Sequence, residues 1–251
     1  PEVVQEMHNT DVLVHVVRGF ETPMLAQPAD PQRDQELFAD EINLLDLQIL
    51  ERRGERWKKE NKKGAEVEVN QRCQAHLEDG KPLRSLNLSE DDIATLEGIQ
   101  LLSLKPLITL YNLSEEAWGD DATAQLRETK EIGNNELSMA LCGAIEAEIA
   151  EMPAEDQGEF LEGLGLGEPA RNGFIRAAYR LLDLISFLTA GPDECRAWPI
   201  RRGTIAKRAA GKVHSDIERG FIRAEIYGYE DLLEYGSEAA LKSAGKMRLE
   251  G

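Results

Sequence analysis

The chain has 251 residues, 41% of them hydrophobic and 6% aromatic, with 29 Lys and Arg against 47 Asp and Glu for a net charge of −18. That apolar content can bury a core over one large or two modest domains, which excludes wholesale disorder, and no apolar run approaches the roughly 18 residues of a membrane span. So acidic a chain is repelled by phosphate, which excludes generic coating of nucleic acid and DNA sequence recognition, and leaves only local basic patches for such contacts.

Cys73, Cys142 and Cys195 stand far apart with no CxxC pair, an odd count that suits free thiols and a cytoplasmic setting. The opening PEVVQEMHNT has neither a basic start nor an apolar h-region, so it reads as no secretory signal, and a start at Pro1 is expected to lie inside a longer protein.

In chain order, Asp11–Val17 (DVLVHVV) predicts a buried strand of parallel type, with His15 as a packed strand residue. Pro23, Pro28 and Pro31 mark the following loop as irregular. From Asp34 the apolar positions Leu37/Phe38, Ile42, Leu45 and Ile49 recur at helical spacing, and the charged RRGERWKKENKK that follows has little but Trp57 to bury. That pattern predicts a projecting helix paired with a returning one, for which Val69, Cys73 and Leu77 supply the stripe. Ser89-Glu90-Asp91-Asp92 opens a further helix carrying Ile93, Leu96 and Ile99, so residues 34–103 form a helical arm.

After Pro106 the run LITLYNL predicts a strand ending at Asn112-Leu113-Ser114-Glu115; a helix over about 122–131 and a second strand from Glu136 to Cys142 follow. Strand, helix, strand is α/β architecture, whose ligand sites lie at the carboxyl ends of strands, here 112–115 and 142–144. Residues 145–184 read as helical, with Phe174, Ala177, Ala178, Leu181 and Leu182 as a core face. Beyond Ile185 short strands, a Gly/Lys/Arg loop and turns predict a small separate α+β domain.

An amide and a carboxylate spaced as Asn112 and Glu115 can grip a purine, the amide bracing neighbouring loops and the carboxylate accepting from ring N–H and exocyclic amine. By spacing alone, which is a weak signal, the same residues read more readily as a helix start after a strand. His8, His76 and His214 have no Cys or carboxylate at ligand spacing, so no metal site is read, and His214-Ser215-Asp216 lacks the spatial evidence a triad needs.

LVHVVRGFE, DLQILERR, KPLITLYNLSEE, LCGAIEAEIAEM, FLEGLGL, RAAYRLLDLISFLTAGPDECRAWPIRRGT and AAGKVHSDIERGFIRAEI follow, in order, the motifs of the YchF/Obg-like ATPase family, which the chain resembles over nearly its whole length. The resemblance implies part of a P-loop nucleotide-binding α/β domain (1–33 and 104–184), interrupted by a helical coiled-coil arm (34–103) and followed by an incomplete TGS domain of β-grasp type (185–251). It implies that Asn112 and Glu115 are the NxxE base-recognition pair, that Leu113 lies against the purine face, and that the backbone of Cys142, Gly143 and Ala144 supports the base from the other side. ATP or GTP with Mg²⁺ is the implied ligand of the intact protein.

The sequence also departs from that family. No GxxxxGK[ST] occurs in the 251 residues, so the phosphate cradle and the Mg²⁺-binding hydroxyl are missing. The loop Glu21–Pro31 holds no His where the family often carries one, Gln27 being the nearest polar substitute. The chain alone is therefore expected neither to bind ATP tightly nor to hydrolyse it.

Charge is unevenly placed: residues 185–251 carry 11 basic and 10 acidic side chains, leaving −19 on residues 1–184. Arg201, Arg202, Lys207, Arg208 and Lys212 form a cluster with no acid between them, and Arg52, Arg53, Arg56, Lys58, Lys59, Lys62 and Lys63 another on the arm. Ribosome or RNA contact is what the resemblance implies for them; a solvated face with i,i+4 ion pairs is the plain alternative. Trp198 and Tyr227 read as core. The second functional reading is a non-enzymatic RNA- or ribosome-binding module made of arm and TGS domain.

Overall fold

A computed structural model describes residues 2–119, 129–133, 135–191 and 194–251. The chain divides into two compact units, 1–182 and 183–251.

The first unit is built on a four-stranded sheet of order β1-β2-β4-β3, from β1 (Leu13–Gly19), β2 (Leu107–Leu113), β3 (Lys130–Gly133) and β4 (Glu136–Leu141). β1, β2 and β4 run parallel, in register from Leu13↔Leu107 and from Leu107↔Glu136, and β3 is an antiparallel edge. β2 is central and buried on both faces: Ile108 and Leu110 pack with Leu137, Met139 and Ala177, whereas Leu107 joins Leu13, Ile42 and Leu102 on the other side. β1 is the parallel strand expected, but it is buried on one face, through Leu13 and Val17. It lies at the sheet's edge in this chain, with Val14 38% and Val16 57% exposed. His15, half-buried, stacks on Phe38 at 4.2 Å, and burial lowers its pKa against the opposing charge of Asp34.

Helix α1 (Glu2–His8) precedes β1, and between β1 and β2 the arm is inserted: α2 (Pro31–Lys59), α3 (Ala65–Glu78), a 3₁₀ turn at Leu83–Ser85 and α4 (Glu90–Thr95). Pro31 begins α2 instead of extending the loop, because a proline's missing N–H is no loss in a first turn, and Asp30 caps the helix by accepting from Arg33 N. The stripe Val69, Cys73, Leu77 is buried as its spacing predicts, together with Leu50, Leu83, Leu96 and Leu101. Trp57, 3% exposed, is covered near the tip by the Arg53 guanidinium and the Lys62 ammonium at 4.2 and 4.8 Å from its ring. Ser89 and Asp92 form the expected reciprocal capping box of α4.

The expected helix over 122–131 lies largely outside the described residues, and its end is corrected, since Lys130 and Glu131 belong to strand β3. After β4 come α6 (Gly143–Glu151), α7 (Ala154–Gly163) and α8 (Ala170–Leu181), while α5 (Glu115–Gly119) follows β2. α8 lays Phe174, Ala177, Ala178 and Leu181 on the sheet.

The second unit pairs β5 (Leu184–Ala190) with β6 (Cys195–Arg201), and β7 (Ala224–Ile226) with β8 (Arg248–Glu250), both antiparallel. Between them lie α9 (Ala206–Val213), α10 (Ser215–Arg219), α11 (Tyr229–Tyr235) and α12 (Glu238–Ser243). The Gly/Lys/Arg loop is thus corrected to a helix: Gly211 is tolerated within α9, whose last N–H groups reach back to helix carbonyls. Trp198 is half-buried, its indole N–H donating to Thr189 Oγ1 at 2.9 Å and Arg196 lying over its ring. His214 Nδ1 accepts from Asp216 N at 3.1 Å, a turn closure that leaves His214-Ser215-Asp216 no nucleophile geometry.

A buried polar centre holds the arm to the sheet. Asp46 on α2 is wholly buried and accepts from Leu102 N (2.9 Å), Ser103 N (2.7 Å) and Ser103 Oγ (2.6 Å). Burial pushes its carboxyl above the ordinary value, and those three donors oppose the shift. Asp46→Ala strands two backbone N–H groups and a hydroxyl, and is expected to cost about 3 kcal/mol or more. Asp40→Ala, at an exposed position of the same helix, should fall within about 0.5 kcal/mol of the parent. Urea unfolding curves of the two variants check this.

The thiols offer a second check. Cys73 and Cys142 are buried and Cys195 is exposed, with desolvation pushing the Cys73 thiol up to about 11. A chromogenic disulfide reagent is expected to titrate one thiol rapidly in the native protein and all three after denaturation.

Candidate functional site

The carboxyl ends of β2 and β4 are brought side by side by their register, Asn112 pairing with Leu141. Each strand then turns into a helix: Ser114 caps α5, its hydroxyl accepting from Ala117 N at 3.1 Å, and Cys142 is the residue before α6. Loop and helix starts therefore sit where an α/β sheet places its ligands.

The two loops are tied by one bond. Asn112 Oδ1 accepts from Gly143 N at 2.9 Å, so an amide on β2 takes a first-turn N–H of α6 that the helix itself cannot use. Contact here is close: a Cβ at position 143 would lie 3.1 Å from Asn112 Oδ1 and 3.3 Å from its Nδ2, so a methyl group would press on the amide. Gly143 is half-buried and Ala144 is exposed, which leaves a small-residue shelf at the start of α6.

Leu113 and Cys142 lie beneath that shelf. Leu113 is 6% and Cys142 2% exposed, and both pack with Trp118, Ala140, Ile145, Ile149 and Leu161. Leu113, expected against a purine face, is thus a core residue flooring the loop junction. Glu115 opens α5 and is exposed, two residues beyond that floor. Below the site Tyr111 OH donates to Gln35 Oε1 at 3.1 Å, linking the end of β2 to α2. Arg18, opposite Asn112 on β1, donates to Phe20 O and Gln27 O and so fixes the loop after β1 through the Gln27 backbone, with the Gln27 side chain left exposed.

The strand ends thus bring together an exposed carboxylate, a braced amide and a shelf without bulky side chains. They do not fit Mg²⁺. No group of three or more His, Cys, Asp or Glu among the described residues could hold a metal ion.

In the second unit Arg201 ends β6, and Lys207, Arg208 and Lys212 lie on α9, all exposed and none ion-paired among the described residues. Arg208 and Lys212 are one turn apart on the same face. Arg202 is spoken for, its Nε 3.0 Å from Asp183 Oδ1. On the arm Arg52, Arg53 and Arg56 line a groove of about 460 Å³ beside Glu97-Gly98-Ile99.

Sequence reasoning misses the polar groups that position these parts: Asp46, Ser103, Arg84 and Lys105. One signal is available, since Asp46 stands four residues from both Ile42 and Leu50, inside the buried stripe, where a carboxylate must have partners.

A family model, YchF-GTPase_C, described as "Protein of unknown function (DUF933)", matches residues 184–251. The chain is 39% identical over 260 residues to "Ribosome-binding ATPase YchF" of Escherichia coli O157:H7, covering 100% of this chain and 71% of that protein. It is 37% identical to the protein of that name in Bacillus subtilis (strain 168), covering 99% and 71%. To "Obg-like ATPase 1" of Oryza sativa subsp. japonica it is 35% identical, covering 96% and 64%. The solved structure titled "Structure of the Schizosaccharomyces pombe YchF GTPase" superposes with a TM-score of 0.86 at 27% identity, over 99% of this chain and 70% of that one. The chain, with its braced strand-end loops and this likeness along its length, belongs to the YchF/Obg-like ATPase family.

Proposed function

We propose that the protein is a ribosome-associated ATPase or GTPase, and that the 251 residues supply the base-recognition half of its nucleotide site. The Asn112–Gly143 bond carries this reading: it sets two strand-end loops at a fixed spacing around a shelf on which a purine can lie. Glu115 accepts from the base edge, Asn112 braces the loops, and Gly143 and Ala144 let the backbone come close. Leu113 and Cys142 keep the floor of that junction dry.

Phosphate affinity comes chiefly from backbone N–H groups and a lysine of the motif GxxxxGK[ST], which these residues do not contain. That half of the site, the Mg²⁺ that goes with it and the hydrolytic step itself belong to sequence outside the 251 residues. The four-residue spacing of Arg208 and Lys212 on exposed α9, with Arg201 and Lys207 nearby, supports contact of the second unit, proposed as a TGS domain, with ribosomal RNA. A cytoplasmic setting suits three unpaired cysteines.

Titration with a fluorescent ATP or GTP analogue tests the half-site. The 251-residue chain is expected to bind more weakly than about 100 μM, and a chain extended upstream through a P-loop segment at least tenfold tighter. Low-micromolar binding by the shorter chain would overturn the assignment. In the extended chain Asn112→Ala should weaken binding roughly tenfold, about 1.4 kcal/mol, and Glu115→Ala should reduce discrimination between adenine and guanine nucleotides. Charge reversal at Arg201, Lys207, Arg208 and Lys212 is expected to abolish low-salt cosedimentation with ribosomes; retention of binding would favour the plain solvated face.

A further inference from the structure

The sheet has a second organised end, opposite the candidate nucleotide site. At the amino ends of β1 and β2, residues 102–106 touch three elements at once. Lys105 Nζ donates to Met7 O (2.8 Å), His8 O (2.7 Å) and Thr10 O (2.5 Å). Two of these are carbonyls at the carboxyl end of α1, where a cation is favoured by the helix dipole; Met7 O also accepts from Thr10 N and Thr10 Oγ1. Leu102 and Ser103 are held by Asp46 of α2, and Arg84 donates to Ser103 O and to Lys105 O. Leu13 N of β1 reaches Pro106 O at 2.9 Å.

α1 is held by Lys105 at its carboxyl end and by Val4 and Met7, which pack on the cluster of Leu13, Ile42, Leu102 and Leu107 that Phe38 and Leu45 of α2 also cover. The same α2 segment, between Phe38 and Asp46, anchors the arm. Docked α1 therefore covers the arm's root, and its release would uncover the apolar contacts and admit water to the Asp46 bonds, which depend on burial for their strength.

We propose that residues 102–106 are a joint through which docking of α1 fixes the arm, with Lys105 as its clasp and Asp46 as its seat. Two states follow: α1 docked with Lys105 on its carbonyls and the arm held, and α1 released with the arm free to swing about its root. Any event that pulls α1 away, within the protein or on a partner, shifts the population towards the second state. This goes beyond the nucleotide reading and stands without it.

The test is pulsed electron–electron distance measurement on the whole chain, with Cys195→Ser and spin labels at Lys59→Cys near the arm tip and Glu148→Cys on α6. Both positions are exposed, and the remaining thiols, Cys73 and Cys142, are buried. Lys105→Met is expected to broaden the distance distribution roughly twofold and to speed amide exchange over residues 2–10, and Lys105→Arg to restore both. Faster exchange at 2–10 with an unchanged distribution, or failure of arginine to restore the parent distribution, overturns the joint. Should Lys105→Met not fold, Lys105→Gln is read on the same two measurements with the same consequences.

Discussion

A carboxylate with no access to water holds this architecture together. β1 and β2 are adjacent and parallel, yet an arm of some seventy residues is inserted between them, so the chain must leave the sheet, travel out, and return in register. Asp46 fixes the return. It lies in the buried stripe of the outgoing helix and takes the two backbone N–H groups and one hydroxyl of the incoming turn. A hydrophobic contact at that point would have been non-directional and would have tolerated a slip, whereas three convergent donors specify one register, and a one-residue slip in β2 would turn its buried faces over. Such buried polar centres are costly unless complete, and this one is satisfied at both carboxylate oxygens.

The candidate site depends on a smaller version of the same device. Asn112 holds Gly143 as Asp46 holds Ser103, a side-chain oxygen on one element accepting an N–H that the next cannot use. In both places the bond joins segments distant in sequence and close in space. The first sets where β2 begins, the second what lies beyond its end.

Much of this is legible in the sequence because it is periodic or motif-like. The stripe Val69, Cys73, Leu77, the capping box at Ser89, the strand LITLYNL and the pair of strand ends all follow from spacing. Where sequence and structure differ, the causes are physical. The β-branched run of β1 suggests burial, but a strand's exposure depends on its neighbours, and among the described residues β1 pairs with β2 alone. Lys130 and Glu131 carry no strand signal of their own and become strand by pairing with β4. Gly211 suggests a loop within α9, where the surrounding Ala, Lys and Arg favour helix more than one glycine opposes it. At the site, the amide bond of Asn112 and the burial of Leu113 are beyond the sequence because NxxE spacing fixes neither side chain's direction.

The two organised ends lie on one strand. From Leu107 to Asn112 β2 rises five residues, about 17 Å, and between them Ile108, Thr109 and Leu110 are buried on both faces. A strand so enclosed has no freedom to bend independently of its neighbours, because close-packed side chains on either side transmit displacement instead of absorbing it. The loop braced by the Asn112–Gly143 bond and the turn that seats the arm are therefore the two ends of a single stiff element.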